Sequence, residues 1–322
     1  MSPIDSTPGA TTKPRTDRTG RAGGNLIRRA PVMLETEGWR DYALLDSGEG
    51  RKLERYGPYR IVRPEAQAMW SPRRPESEWA AADAHFVGAG EEESDGRWRM
   101  KKPLGETWPL DYDGIGFLGR FTAFRHVGVF PEQATHWQWL EGLIKGAGRP
   151  TKILNLFAYT GLASLVAARA GAEVTHIDAS KKAIGWAREN QALAGFGEMP
   201  IRWICEDAQK FVEREERRGN RYDGIILDPP KFGRGPKGEV WDLFPDLPKM
   251  MRACRKLLSD RPLFLILTAY SIRASFLSID EVAAECLDGL GGRLESGELV
   301  LREEGGGRAL STSLFSRWSK DG

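Results

Sequence analysis

One stretch, residues 152–161 (K-I-L-N-L-F-A-Y-T-G), constrains the fold more than any other. It reads as a short apolar strand, residues 153–156, running into a turn that closes on Gly161, with a helix of small and apolar residues, 162–170, behind it. Strand, Gly-containing turn and helix form the opening half of a nucleotide-type α/β unit. In such a unit the ligand sits over the carboxyl end of the first strand, facing backbone N–H groups and the helix N-terminus.

Past Gly171 the alternation is regular. Residues 173–177 read as a strand ending at Asp178, and 180–194 as a helix capped by Ser180. Residues 201–204 read as a strand with Asp207 just beyond it, then 208–218 as a helix. Residues 222–227 form a fourth strand that ends in Asp228-Pro229-Pro230-Lys231-Phe232. A helix (247–258), a strand (263–268) and a helix (279–290) come next, and two strand-like runs, 293–301 and 310–318, flank Gly305-Gly306-Gly307 as a closing hairpin. Alternating βα units predict an α/β fold: a mostly parallel sheet with helices on both faces, finished by an antiparallel hairpin.

The 322 residues suggest about two domains. Residues 1–30 are polar and basic and too poor in large apolar residues to offset their ordering entropy, so disorder is expected. Their basic residues (Lys13, Arg15, Arg18, Arg21, Arg28 and Arg29) would touch a phosphate backbone or form a solvated tail. Residues 31–120 carry short alternating runs broken by Gly-Pro, Arg-Pro and Asp-Gly, the pattern of a small β-rich domain of hairpins. Here Trp39, Trp70, Trp79, Trp98 and Trp108 alternate with bases such as Lys52, Arg60, Arg63, Arg97 and Arg99. Aromatic faces among cations suit nucleic acid; the other reading is a tryptophan core beneath a solvated basic face. Glu91, Glu92 and Glu93 read as a hairpin tip, and residues 111–119 as a Gly-rich bridge before a third segment, 121–322.

The net charge of +2 neither demands nor excludes nucleic acid. Three cysteines without CxxC spacing argue against a disulfide scaffold and a zinc site, and no metal is expected. No apolar run is long enough to span a bilayer, and the N-terminus lacks a signal-peptide core, so a cytoplasmic protein without membrane contact is expected.

Three acids, Asp178, Asp207 and Asp228, follow three successive strands and therefore line one sheet edge. An acid after the second strand suits a ribose, whose vicinal hydroxyls donate to a carboxylate. The first loop is not GxGxxG, since Phe157 and Tyr159 are bulky, and no GxxxxGK[ST] is present, so pyrophosphate binding is disfavoured. A cofactor with ribose and adenine but no phosphate fits better: S-adenosylmethionine (SAM), its adenine near Ala179 and Ala208 and its exocyclic amine donating to Asp207. In Asp228-Pro229-Pro230 the prolines fix the backbone and remove two donors. The Asp228 carboxylate and Pro229 carbonyl remain as acceptors suited to an –NH2 group, with Phe232 available to stack on a planar ring.

These motifs resemble the class I SAM-dependent methyltransferases, over roughly residue 121 to the C-terminus. DPPKF is similar to the loop of bacterial large-subunit (23S) ribosomal RNA methyltransferases, which modify cytosine C5 or guanine nitrogens. The resemblance implies a Rossmann-like, mostly parallel seven-stranded sheet and RNA as partner. It implies a cofactor set of Asn155, Phe157, Tyr159, Thr160, Gly161, Asp178, Ser180, Asp207 and Ala208. It implies a catalytic loop of Asp228, Pro229, Pro230 and Lys231. GVFPEQ resembles the segment that closes over the cofactor, implicating Phe130 and Gln133. Cytosine C5 chemistry needs a thiolate nucleophile, placed in relatives after the fifth strand, where this chain has Thr268-Ala269-Tyr270-Ser271. Amine methylation is therefore favoured. Alternatives are a non-catalytic RNA-binding or assembly protein of the same fold, methylation of a protein or small molecule, and a dinucleotide oxidoreductase, which the first loop disfavours.

Overall fold

In the computed structural model the first strand enters the main sheet from an unexpected side. The structure describes residues 30–88, 96–270, 272 and 274–320; the basic segment before residue 30, the acidic run at 91–93 and Ser271 lie outside the described residues. Strand β1 (Val32–Thr36) pairs in parallel with the strand at Arg293–Arg302, Val32 standing opposite Gly297. A Cβ on Gly297 would lie 1.9 Å from the Val32 carbonyl oxygen, so this approach requires glycine.

A five-stranded sheet follows, in the order β2 (Tyr42–Gly48), β3 (Arg51–Tyr56), β4 (Tyr59–Pro64), β5 (Ala84–Gly88), β6 (Gly96–Met100), with the short helix α1 (Glu76–Ala80) between β4 and β5. Its inner face buries charge as well as apolar surface. Arg63 donates two hydrogen bonds of 2.7 Å to Glu54, and Lys52 pairs with Glu65 at 3.2 Å. Burial alone would raise Glu54, but Arg63 and Lys52 hold it at about 2. Trp39, Trp79 and Trp108 are core residues, and half-buried Trp70 and Trp98 donate their indole N–H to the carbonyls of Ser47 and Phe124. The tryptophans are thus framework rather than an exposed stacking platform.

Residues 111–119, expected as a bridge, are a hairpin inside the core. Strands β7 (Thr107–Tyr112) and β8 (Ile115–Arg120) turn at Asp113-Gly114, with φ of 49° and 81°. Positive φ at both central residues is the type I′ geometry that Asp-Gly favours. Alternate residues Trp108, Leu110, Tyr112, Ile115 and Phe117 point inward and are buried. They join Trp39 from the β1–β2 connection, Tyr56 from β3, and Trp137 and Leu140 from the next helix, in one cluster. Pro31–Gly322 accordingly form one compact unit.

The α/β part runs α2 (Ala134–Gly146), β9 (Thr151–Leu156), α3 (Leu162–Arg169), β10 (Ala172–Asp178), α4 (Lys181–Leu193), β11 (Ile201–Cys205), α5 (Ala208–Arg218) and β12 (Gly224–Leu227). A small hairpin of β13 (Phe232–Arg234) and β14 (Val240–Asp242) precedes α6 (Leu243–Leu257), β15 (Phe264–Tyr270), α7 (Phe276–Leu287), β16 (Arg293–Arg302) and β17 (Ala309–Ser319). The main sheet has the order β1-β16-β17-β15-β12-β9-β10-β11, in which only β17 runs antiparallel. All seven strands read from the sequence of this part are present; β1 adds an eighth. Strand β9 is apolar on both sides because Ile153 packs with α2 and α3 while Leu154 and Leu156 pack with α5 to α7. The chain leaves β9 toward β10 and later returns on its other side as β12. Loops diverge at that switch point and leave a crevice above the strand ends. Among the described residues no helix is long and apolar enough to cross a membrane, and no group of three His, Cys, Asp or Glu lies close enough to hold a metal ion.

Replacing Gly297 by Ala is expected to drive β1 off the sheet edge, because the clash is with backbone that cannot rotate away. Amide exchange across residues 33–36 should accelerate, and stability should fall by about 1–3 kcal/mol in denaturant titration. Unchanged protection of these amides would contradict the packing.

Candidate active site

The loop between β9 and α3 carries three residues in the left-handed region: Phe157 (φ 56°), Tyr159 (φ 50°) and Gly161 (φ 87°). Bulky residues rarely adopt this conformation, and when they do the surroundings must enforce it. Here they do. The Ala158 N–H donates to the Ile177 carbonyl at 3.0 Å, and the Tyr159 N–H to Asp178 Oδ2 at 2.9 Å. Thr160 donates its hydroxyl to the Gly128 carbonyl at 2.6 Å and accepts from Asn190 Nδ2 at 2.9 Å. Gly161 is needed for a second reason. A Cβ there would meet Ala187 at 3.0 Å and the Trp203 ring at 3.1 Å, so its bareness lets the loop settle against α4 and β11.

The loop roofs a small crevice of about 60 Å³ that opens to solvent. Of the residues expected at a cofactor, Phe157, Tyr159, Thr160 and Gly161 line it from the loop, Asn155 from β9, and Phe130 and Gln133 from the segment before α2. Two of these have structural duties. Thr160 is the tie to Gly128, and buried Asn155 donates to Ser164 Oγ at 2.9 Å, which contacts His176 Nδ1 at 3.0 Å.

The other expected residues lie along the same sheet edge, beside the cavity rather than in its wall. Asp178 accepts from the Tyr159 and Ser180 N–H groups, one on each oxygen (2.9 and 2.7 Å), which leaves each oxygen a free lone pair. Burial raises Asp178 above its ordinary value against the pull of those two donors. Ser180 caps α4 by accepting from the Ala183 N–H, and Asp207 caps α5 by accepting from the Lys210 N–H. Buried Ala208 opens α5.

Asp228 follows β12 and reaches the cavity from the opposite side. Gln133 Nε2 donates to its Oδ2 at 3.1 Å, and Thr268 Oγ1 donates to Gln133 Oε1 at 3.4 Å, which fixes which way the amide points. Burial and then the nearby Glu132 raise Asp228 from 3.8 to about 7, with Gln133 opposing. Pro229 is buried, Pro230 exposed. The Pro230 carbonyl accepts from Trp241 Nε1 at 2.7 Å and the Lys231 carbonyl from the Leu243 N–H at 3.0 Å, so the β13–β14 hairpin and α6 clamp the loop. The Lys231 side chain is exposed, and Phe232, 57% exposed, starts the hairpin instead of covering Asp228.

Three neighbours carried no motif of their own. His136 lines the cavity one helical turn after Gln133, and neither of its ring nitrogens has a partner among the described residues. Burial, then Arg317, lower it to about 3, so it is neutral and offers one N–H and one lone pair. Thr268 and Tyr270 project from β15 toward the same side, Tyr270 edge-on to Phe130 at 5.5 Å. The i, i+3 spacing of Gln133 and His136 was the available sequence signal. A buried orphan in the wall, a strained loop with inward aromatics and a strand-end carboxylate with free lone pairs fit a cofactor that has ribose and polar termini but no phosphate. The cysteines take no part. Cys254 and Cys286 are buried in α6 and α7, and exposed Cys205 contacts the Ala179 carbonyl at 3.5 Å.

Comparison with known proteins agrees with this geometry. The model of the S-adenosylmethionine-dependent methyltransferase family matches residues 75–290, and the chain belongs to that family. It is a SAM-dependent methyltransferase. A SAM-dependent methyltransferase from Agrobacterium tumefaciens, known from its crystal structure, is 63% identical, with 90% of this chain and 94% of that one covered and a TM-score of 0.88. A candidate methyltransferase solved with S-adenosylhomocysteine shares the fold at 16% identity, over 86% of this chain and 75% of that one, with a TM-score of 0.67. Among curated proteins, the ribosomal RNA large subunit methyltransferase K/L of Shewanella frigidimarina is 34% identical over 148 residues, and that of Methylococcus capsulatus 42% over 129. These alignments cover 45% and 40% of this chain but only 20% and 17% of those longer proteins.

Replacing Asp178 by Ala is expected to weaken SAM binding at least tenfold, about 1.4 kcal/mol, measured by titration calorimetry. The loop loses the acceptor for the Tyr159 N–H, and the strand end loses the carboxylate expected to receive a ribose. An unchanged affinity would remove Asp178 from the cofactor site.

Proposed function

We propose that the chain transfers the methyl group of SAM to an amino nitrogen of an RNA base, ribosomal RNA being the favoured source. The observation that carries this reading is Asp228: a cavity carboxylate held by Gln133 beside the loop that grips the cofactor. When bound, SAM supplies an electrophilic methyl group on a sulfonium. The protein's part is positioning, since two reactants held in line need little further help. Asn155, Phe157, Tyr159 and Gly161 hold the methionine end, Asp178 the ribose, Asp207 and Ala208 the adenine, and Phe130 and Gln133 close the site. His136 offers its unpaired N–H to the cofactor's polar terminus. Ionised Asp228 accepts a hydrogen bond from the acceptor –NH2, and the Pro229 carbonyl accepts the other, so the nitrogen lone pair faces the methyl group.

Attack from nitrogen rather than from cytosine C5 is supported by the thiols. None of the three lines the cavity, and burial pushes Cys254 and Cys286 above the ordinary thiol value, away from thiolate. RNA is supported by the names of the curated relatives, which are large-subunit ribosomal RNA methyltransferases.

The acceptor is tested by incubating the protein and labelled SAM with ribosomal RNA from a strain lacking this gene, then mapping the modified nucleotide by mass. Label in an amino nitrogen is expected; label at C5, or in protein alone, contradicts the proposal.

The raised Asp228 gives a separate test. A carboxyl whose folded value lies above its unfolded one contributes stability below about 3.8 that is lost as pH rises toward about 7. Asp228→Asn should therefore be more stable than the parent by a margin that widens with pH across that window and is flat above it, read as the difference in Tm. The same substitution removes the ionised acceptor, so the rise of rate with pH around neutrality should vanish, and Asp228→Ala should lose on the order of a hundredfold in kcat.

A further inference from the structure

The unassigned feature that the observations carry furthest is the outer face of the five-stranded N-terminal sheet. Successive residues of a strand point to opposite faces, so the register sorts its bases into two sets. Lys52 and Arg63 face inward and are paired with Glu65 and Glu54. Arg55 on β3 stands directly opposite Arg60 on β4. Further across the same face, His85 on β5 is opposite Arg99 on β6, and Val87 is opposite Arg97. Helix α1 covers only one end of the face, where Trp79 packs on Leu53 and Val62 and Arg51 pairs with Glu76 at 3.0 Å. The other end is open: Arg60, Arg97, Arg99 and Lys101 are exposed.

Two properties of this end bear on what it meets. Like charges directly opposite each other on a sheet are destabilising, by about 0.2–1 kcal/mol per pair, yet Arg55 and Arg60 are so placed. Second, none of Arg60, Arg97, Arg99 or Lys101 has an acidic partner among the described residues. The adjacent acid, Asp83, accepts from the Arg60 backbone N–H at 2.9 Å. Several arginines elsewhere hold a carboxylate, among them Arg149, Arg169, Arg214, Arg302 and Arg317. Cations gathered at a cost, with no acid paired to them among the described residues, suit an external anion. Strand spacing spreads them over roughly 14 Å, a span that meets several phosphates at about one charge per 3.4 Å of strand. The guanidinium fork suits phosphate oxygens. No large exposed apolar side chain lies on this face, as insertion into a membrane interface requires.

We infer that the outer face of the N-terminal sheet, through Arg55, Arg60, Arg97, Arg99 and Lys101, binds the phosphate backbone of the RNA that carries the methyl acceptor. This inference rests on the RNA reading above. It puts recognition of the strand on arginines of one sheet face, with the tryptophans beneath them serving as core.

The test is the full chain with Arg60→Glu and Arg99→Glu together, beside a charge-matched control, Arg217→Glu at the exposed end of α5 with Arg221→Glu just beyond it. Binding of a fluorescently labelled RNA hairpin is followed by anisotropy over a salt series. The sheet variant should bind at least tenfold more weakly, with the slope of log affinity against log salt reduced by about 2. The control should match the parent. SAM affinity and Tm of the sheet variant should not fall, because the change relieves repulsion and touches no buried group. Unchanged RNA affinity and slope, or an equal loss in the control, overturns the inference. So does loss of phosphatidylserine-vesicle binding in the sheet variant with RNA binding intact, which would make the face a membrane contact. Methyl transfer to ribosomal RNA by the parent separates the two claims. If it occurs while the sheet variant binds RNA normally, the surface fails and the acceptor reading stands. If it is absent while the variant has lost RNA binding, the surface stands and the acceptor reading fails.

Discussion

The left-handed backbone of Phe157 and Tyr159 is the constraint on which the site depends. Each such residue costs of order 1–3 kcal/mol, and the loop is kept there by hydrogen bonds from three other places: Ile177 and Asp178 at the end of β10, Gly128, and Asn190. The strain has a geometric return. It turns the two aromatic side chains and the backbone between them toward the crevice. Asp178 belongs to this device as much as to any cofactor, because the oxygen that accepts from Tyr159 also sets where the carboxylate stands. Support of the loop and binding of a ribose are therefore not separable by deleting the carboxylate alone.

Asp228 depends on a second frame, which begins far away in the sequence. Gln133, its partner, ends the short turn Pro131–Gln133, and Thr36 at the end of β1 donates to the carbonyls of Pro131 and Glu132 at 3.1 and 3.2 Å. Strand β1 reaches that position only because Gly297 lets it lie against β16. Behind the turn, Glu132 is buried near Lys52 and Arg63 of the N-terminal sheet; burial raises it, and those cations oppose the rise. The same Glu132 helps raise Asp228. The inner face of the N-terminal sheet thus contributes to the electrostatics of the active site as well as to its support.

The α/β part was legible because its strands are apolar on both faces and its helices are capped by recognisable residues. Ser180 and Asp207 do cap α4 and α5, and the acids fall at strand ends where one crevice gathers them. Less could be read where a residue's meaning lies in a distant partner. Strand β1 is five residues with no strong alternation, and its place follows from a glycine more than 260 positions later. The β7–β8 hairpin was hidden by its glycines, although Asp113-Gly114 is a type I′ turn signal. Phe232 suggested a stacking ring, but the hairpin that follows draws it outward. Gly161 suggested close approach to a ligand; that its missing side chain also makes room for Ala187 and Trp203 could not be read from the sequence. His136 had no motif because a buried imidazole with no partner is visible only in three dimensions.

The tryptophans and arginines of the N-terminal segment show why composition is silent on partners. Forty-seven basic and forty-five acidic residues nearly cancel, and part of that cancellation is local, in pairs such as Arg63 with Glu54 and Arg169 with Glu141. Strand alternation sorts neighbours in sequence into opposite fates. Lys52 and Arg63 go inside, where burial without a counter-ion would cost several kcal/mol each, while Arg55 and Arg60 go outside, where water tolerates them unpaired. An outward base is cheap to keep but costly to aim at another base. The informative quantity is therefore not how many cations the segment has, but which face the pleat gives them and whether an acid stands opposite.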